Sequence, residues 1–87
     1  MLAQISQQNY FQLFGQEENY KVDLSTLQEQ LRDLQKQYHP DNFASQSQEQ
    51  LNQAIAASSL INQAYNTLTQ PLARAIYLLK LQGVEVD

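Results

Sequence analysis

The chain has 87 residues, a formal net charge of −4, one histidine and no cysteine. This length fits a single small domain, and the acidic balance argues against a general nucleic-acid binder, which gains affinity by neutralising phosphates. The absence of cysteine excludes disulfides and thiolate chemistry, and a lone histidine excludes a histidine-clustered metal site, so we expect neither a metal nor a cofactor.

The first predicted helix is short and follows an unpatterned leader over residues 1–9. Asn9 is a suitable N-cap, and Gly15 offers the left-handed conformation at which helices often end. Three aromatic residues lie between them, and we expect these to reach the core: Tyr10, Phe11 and Phe14. Residues 16–22 show no periodicity and predict a loop.

The second predicted helix begins after Asp23, whose carboxylate can accept bonds from the first unpaired amides. Apolar residues then recur at alternating spacings of three and four: Leu24, Leu27, Leu31, Leu34 and Tyr38. This apolar stripe predicts a helix that packs along a second helix. On the opposite face, Glu29 with Arg32 and Asp33 with Lys36 predict exposed ion pairs of little energetic weight.

A third helix is predicted from a cap at Ser45 or Ser47 to about Thr69. Its apolar positions again follow the three-four rhythm: Leu51, Ala54, Ile55, Ser58, Ile61, Tyr65 and Leu68. Because the connector before it is short, the second and third helices should form an antiparallel hairpin.

Pro71 suits the first turn of a fourth helix that ends before Gly83. We expect this helix to bury four apolar side chains: Leu72, Ala75, Ile76 and Leu79. Arg74 on the same helix is expected to hold nearby acidic groups and so to act structurally. Strand-like alternation and internal repeats are missing from the sequence, so the predicted class is all-α.

Tyr38-His39-Pro40-Asp41 supplies the one strong break between the two long helices. Pro40 stops the arriving helix, and His39 before it is pushed into an extended conformation. An imidazole and a carboxylate are therefore exposed together on a short connector. An ordinary turn with a dipole-stabilising histidine would use the same residues. A hydrolytic pair is not supported, because no oriented nucleophile or oxyanion site accompanies them, and we expect no enzymatic activity.

The same four residues resemble the signature loop of J-domains, the co-chaperones that activate DnaK-type chaperone ATPases. The run from Ile61 to Leu68 resembles their third helix. The runs Tyr10–Gly15 and Pro71–Leu79 are similar to the HscB branch, the J-proteins of iron–sulfur cluster assembly. The resemblance covers residues 10–83 and implies a four-helix J-domain, in which short first and fourth helices flank a central antiparallel hairpin of the second and third.

The resemblance also implies a function for the loop and for the helix before it. Asp41 would accept hydrogen bonds from an arginine of an HscA-type chaperone, Pro40 would fix the loop shape, and His39 would add a contact. Arg32 and Lys36 would face an acidic surface of the chaperone and orient the complex. Binding would stimulate the ATPase of the partner in the service of iron–sulfur protein maturation.

Two features depart from the family pattern. Asn42 follows the signature aspartate where members often carry Lys or Arg, so one positive charge beside the expected contact is missing. HscB proteins also continue into a second helical domain that binds the cluster scaffold protein. Residues 84–87 fit the start of a linker to such a domain, so scaffold binding is not assigned to these 87 residues.

The sequence indicates a location for the protein. The apolar run over residues 75–79 is too short to cross a membrane, and residues 1–4 lack the features of a secretory signal, so we expect a cytoplasmic location.

A helical interaction module without a chaperone partner remains an alternative function. A helix-turn-helix nucleic-acid binder is disfavoured, because no basic residue occurs between Leu51 and Leu68.

Overall fold

A computed structural model describes residues 7–84. Four α-helices and one 3₁₀ turn account for its regular structure: α1 (Tyr10–Leu13), α2 (Leu24–Tyr38), the turn (Pro40–Phe43), α3 (Gln48–Thr69) and α4 (Pro71–Leu81). No strand occurs in this range, so the predicted all-α class is confirmed. The predicted leader over residues 1–9 and linker over residues 84–87 lie mostly outside the described residues.

Side-chain caps fix the starts of the first three helices. Asn9 accepts the backbone N–H of Gln12 at 2.8 Å, while the Gln12 side chain accepts the N–H of Asn9 at 2.9 Å. Asp23 accepts the Thr26 hydroxyl and the Ser25 N–H, both at 3.0 Å, and these bonds lower the pKa of its carboxyl group. Of the two serines predicted to cap α3, Ser47 is the cap.

Helices α2 and α3 form the predicted antiparallel hairpin. The Gln35 amide donates to the Asn62 side chain at 3.2 Å, and the Ser58 hydroxyl donates to the Tyr38 carbonyl at 3.1 Å. Position 35 thus pairs with position 62 and position 38 with position 58, so the two helices run in opposite directions. The hairpin places the connector between the helices at one end of the molecule.

Aromatic side chains from α1, α3 and α4 pack together around the hairpin. Phe11 and Phe14 are fully buried, and Phe14 lies 6.1 Å from the Tyr65 ring. The rings of Tyr10 and Tyr77 stack at 4.3 Å, and the Tyr10 N–H donates to the Tyr77 hydroxyl at 2.9 Å. Burial raises the pKa of Tyr77. The predicted core role of the α1 aromatics is confirmed.

Several residues predicted to be buried are exposed. Leu24 is 52% exposed, Ile55 49%, Leu72 74% and Leu79 39%. Helix α3 keeps part of its predicted stripe in the core but not Ile55, because it packs against all three other helices. Its fully buried residues are Ala54, Ile61 and Leu68, which were predicted, and Ala57 and Ala64, which were not. Helix α4 likewise packs through Tyr77 and Leu78 rather than through Leu72 and Leu79.

Arg74 is buried as the predicted structural cation, but its partners differ from those expected. Its guanidinium donates to the Leu68 carbonyl at 2.8 Å and lies 4.5 Å from the centre of the Tyr20 ring. Among residues 7–84, no carboxylate lies within 4.0 Å of it. Arg74 therefore binds the C-terminal end of α3, where the helix dipole favours a cation.

Candidate functional site

The loop formed by residues 39–43, called the His-Pro-Asp loop below, lies at the start of the connector between α2 and α3. His39 ends α2 with an extended backbone, φ −62° and ψ 131°, as its position before a proline predicts. Pro40 then opens the 3₁₀ turn, where its fixed φ suits the first helical position. A single rigid residue thus ends one helix and starts the turn that directs the chain into α3.

Asp41 points its carboxylate into solvent. The side chain is 91% exposed, and no donor among residues 7–84 lies within hydrogen-bond distance of its oxygens. The Nδ1 of His39 lies 3.7 Å from the Asp41 Oδ2, beyond hydrogen-bond reach. An exposed carboxylate without an intramolecular donor is available to a donor from another molecule.

The His39 ring is half exposed and is oriented by the loop itself. Its Nδ1 accepts the backbone N–H of Asp41 at 3.1 Å. In a neutral ring, an accepting Nδ1 leaves the single proton on Nε2. Such a ring offers an N–H donor near the exposed acid.

Arg32 and Lys36 lie one turn apart on an exposed face of α2, the face that also carries Glu29 and Asp33. The predicted ion pairs of Arg32 with Glu29 and of Lys36 with Asp33 do not form within 4.0 Å. Ordering two long exposed side chains costs entropy that an exposed ion pair recovers only weakly. Both cations are therefore without a carboxylate partner among residues 7–84 and are accessible from solvent.

Asn42 has a role that the sequence did not reveal. Its side-chain Nδ2 donates to the Lys36 carbonyl at 2.7 Å, while its backbone N–H donates to the His39 carbonyl at 2.9 Å. From the sequence, Asn42 is expected at the chaperone contact, without the positive charge that family members often carry there. In the structure its amide binds the last turn of α2.

Three further residues support the loop and were not predicted as part of the site. Ser58 bonds the Tyr38 carbonyl, and the Gln35–Asn62 bond crosses the hairpin beside it. Together with His39 and Pro40 they line a shallow groove of about 400 Å³. A polar Ser58 on the predicted apolar stripe of α3 was the one sequence signal available for this support.

The described residues offer no place for a metal ion. No group of three His, Cys, Asp or Glu side chains within residues 7–84 could hold one. Nor is any helix in that range long and apolar enough to cross a bilayer. The site presents an exposed acid, an imidazole and two exposed cations.

Comparison with known proteins places the whole arrangement in one family. The DnaJ domain model matches residues 9–77. The co-chaperone protein HscB homolog of Vibrio cholerae is 49% identical over 79 residues, which are 91% of this chain and 46% of that protein. The co-chaperone protein HscB of Proteus mirabilis is 45% identical over 78 residues, 90% of this chain and 45% of that protein.

Two solved structures share the fold. Chaperone HscB from Vibrio cholerae superposes with a TM-score of 0.88 at 49% identity, over 92% of this chain and 49% of that one. The human co-chaperone protein HscB gives a TM-score of 0.89 at 40% identity, over 92% of this chain and 41% of that one. The chain thus spans about half the length of the relatives it matches. From its helices, its signature loop and these relatives, the chain belongs to the DnaJ-domain family, and its predicted resemblance to HscB co-chaperones is confirmed.

Proposed function

We propose that this chain is a co-chaperone J-domain that binds a DnaK-class chaperone through the His-Pro-Asp loop and stimulates its ATPase. The exposure of Asp41, combined with the lack of an intramolecular donor to its carboxylate, carries this proposal. A chaperone arginine can form a charge-assisted hydrogen bond with such an acid without first displacing a partner. The names of the HscB relatives support the co-chaperone role.

The remaining site residues have distinct proposed roles. The Nε2–H of His39 donates a second hydrogen bond, and Pro40 keeps the two side chains close together. Arg32 and Lys36 attract an acidic chaperone surface, which mainly accelerates and orients association. Asn42 lies within the docking surface without adding charge to it.

The partner and the process are proposed more narrowly from the relatives. We propose an HscA-type chaperone in the cytoplasm and a role in the maturation of iron–sulfur proteins. Binding of the cluster scaffold belongs, in this proposal, to a second domain outside these 87 residues. The chain acts on the chemistry of its partner and supplies no catalytic group of its own.

Single-turnover ATP hydrolysis by a purified HscA-type chaperone tests the docking proposal. Asp41→Asn and His39→Gln should each abolish stimulation, because losing one partner of a buried charged bond costs about 2–5 kcal/mol, or at least about 30-fold in affinity. Both side chains are exposed, so the free energy of unfolding should change by less than about 0.5 kcal/mol. Glu17→Gln removes the same charge elsewhere on the surface and should stimulate like the wild type.

Full stimulation by Asp41→Asn would refute the proposal. The same titration with a general DnaK-type chaperone shows whether the chain stimulates only an HscA-type partner or several chaperones of this class. A helical interaction module without a chaperone partner would stimulate neither ATPase.

A further inference from the structure

The proline of the His-Pro-Asp loop creates a specific gap in the hydrogen bonding of α2. In a continuing α-helix, the N–H of residue 40 would donate to the carbonyl of Lys36. Proline has no N–H, so this carbonyl loses its regular donor. The Asn42 side chain fills the gap, since its Nδ2 lies 2.7 Å from the Lys36 oxygen.

A second carbonyl at the same helix end is satisfied from α3. The carbonyl of Tyr38 would accept the N–H of residue 42 in a continuing helix, but that N–H donates to His39 within the turn. Instead, the hydroxyl of Ser58 donates to the Tyr38 carbonyl at 3.1 Å. Two side chains thereby replace the C-terminal cap that a glycine usually provides.

These two bonds hold the loop at both of its ends. The Ser58 bond holds the residue immediately before His39, and the Asn42 bond holds the residue immediately after Asp41. Between them, the proline ring restricts the backbone, and the side chains of His39 and Asp41 stay exposed. The hydrogen bonds from Ser58 and Asn42 therefore restrain the segment that carries the exposed acid and imidazole.

We propose that Asn42 and Ser58 are positioning residues, which hold the His-Pro-Asp loop in its docking conformation through these two hydrogen bonds. This inference rests on the proposed function, because its readout is docking. A protein whose competent conformation is only partly populated binds with an affinity reduced by that fraction. Loss of either tether should therefore weaken apparent binding and leave the fully bound complex as active as before.

The concentration dependence of ATPase stimulation tests this prediction. Asn42→Ala and Ser58→Ala should each need about three to ten times more protein for half-maximal stimulation, the range expected from losing one ordinary hydrogen bond. Both should reach the wild-type maximum. Ser59→Ala is the matched control, since Ser59 is the exposed neighbour of Ser58 and should titrate like the wild type.

Wild-type titration curves for Asn42→Ala and Ser58→Ala would overturn the positioning role, and so would a lowered maximum at an unchanged half-point. Neither result would affect the proposed function, which depends on Asp41→Asn.

A double-mutant cycle tests the tether without any chaperone. Pro40→Ala restores an N–H at position 40 that can donate to the Lys36 carbonyl. Asn42→Ala should therefore lower the urea midpoint of unfolding in the wild-type background and much less in the Pro40→Ala background. The inference would be overturned if Asn42→Ala lowered the urea midpoint equally in both backgrounds. This outcome does not depend on the docking proposal, so it can be read even if Asp41→Asn has refuted that proposal.

Discussion

The two ends of the molecule are built from different interactions. The aromatic end holds together through packed rings, two of them fully buried and three partly buried: Phe11 and Phe14, and Tyr10, Tyr65 and Tyr77. The His-Pro-Asp loop at the other end contains no buried side chain and keeps its shape through individual hydrogen bonds. Stability should therefore depend on the aromatic end, and recognition on the loop.

Because the two ends rely on different interactions, stability and function can be changed separately in this domain. Burial of large apolar side chains contributes several kcal/mol per residue, whereas an exposed polar side chain contributes little to folding. An exposed acid can still dominate a complex, because it becomes desolvated and paired only when the partner binds. Four changes, ordered by expected effect, examine this separation.

Phe11→Ala should produce the largest loss of stability, about 3–5 kcal/mol, because it removes a fully buried ring and leaves a cavity between α1 and α4. Urea unfolding followed by circular dichroism measures the loss. At low temperature, the folded fraction of the variant should still stimulate the chaperone. A stable but inactive variant would contradict the separation of the two ends.

Arg74→Ala should reduce the free energy of unfolding by about 1.5–3 kcal/mol, the usual value of a hydrogen bond to a charged group. The substitution leaves the Leu68 carbonyl without its donor and removes the contact with the Tyr20 ring. Lys80→Ala, an exposed cation on the same helix, is the control and should change stability by less than about 0.5 kcal/mol. Equal effects of the two variants would argue against a structural role for Arg74.

Tyr77→Phe should cost about 1 kcal/mol at neutral pH, because the Tyr10 N–H loses its acceptor while the ring stack remains. Tyr20→Phe is the control, because it removes a phenol hydroxyl that does not accept the Tyr10 N–H.

The pH dependence of Tyr77→Phe has a defined sign. Burial raises the folded-state pKa of Tyr77 above 10.0, so the stability contribution of its neutral phenol is complete below pH 10.0. That contribution is lost as the pH rises through the raised pKa. The stability gap between wild type and variant should therefore narrow above pH 10.0, and a widening gap would contradict this assignment.

Asp23→Asn should have the smallest effect, because asparagine is also a good N-cap and only the charge is lost. Hydrogen bonds from Thr26 and Ser25 lower the folded-state pKa of Asp23 below 3.8. Its ionised form therefore stabilises the fold above pH 3.8 and stops doing so as the pH falls through the lowered pKa. Urea unfolding should show the wild type and variant converging in acid; a pH-independent gap would show that the charge is irrelevant.

Local chemistry predicted the helix boundaries well, because each boundary depends on residues close in sequence. Asn9 and Asp23 cap helices through donors two or three residues away. Pro71 starts α4, and Gly83 follows its end with a positive φ of 84°. The short loop at Pro40 also predicted the hairpin, since little chain separates two long helices.

The direction in which each helix faces could not be predicted from spacing alone. The periodicity of α4 allows Leu72 or Tyr77 to face inward, and the rings of Tyr10 and Phe11 favour Tyr77. Leu72 consequently remains 74% exposed. Spacing alone was also insufficient for the ion pairs expected on α2. They do not form, because correct spacing does not compensate for the entropy lost in ordering exposed side chains.

Caps, proline geometry and a short signature are local features, so the four helices, the break between them and the exposed acid and imidazole could be read from the chain alone. The buried faces of the helices and the bonds that hold the loop depend instead on how the helices pack. Ser58 reaches the Tyr38 carbonyl from twenty residues away, and Asn42 reaches Lys36 only after the chain has turned. Such bonds depend on the packing of α2 against α3, and packing is a property of pairs of helices that no single segment encodes.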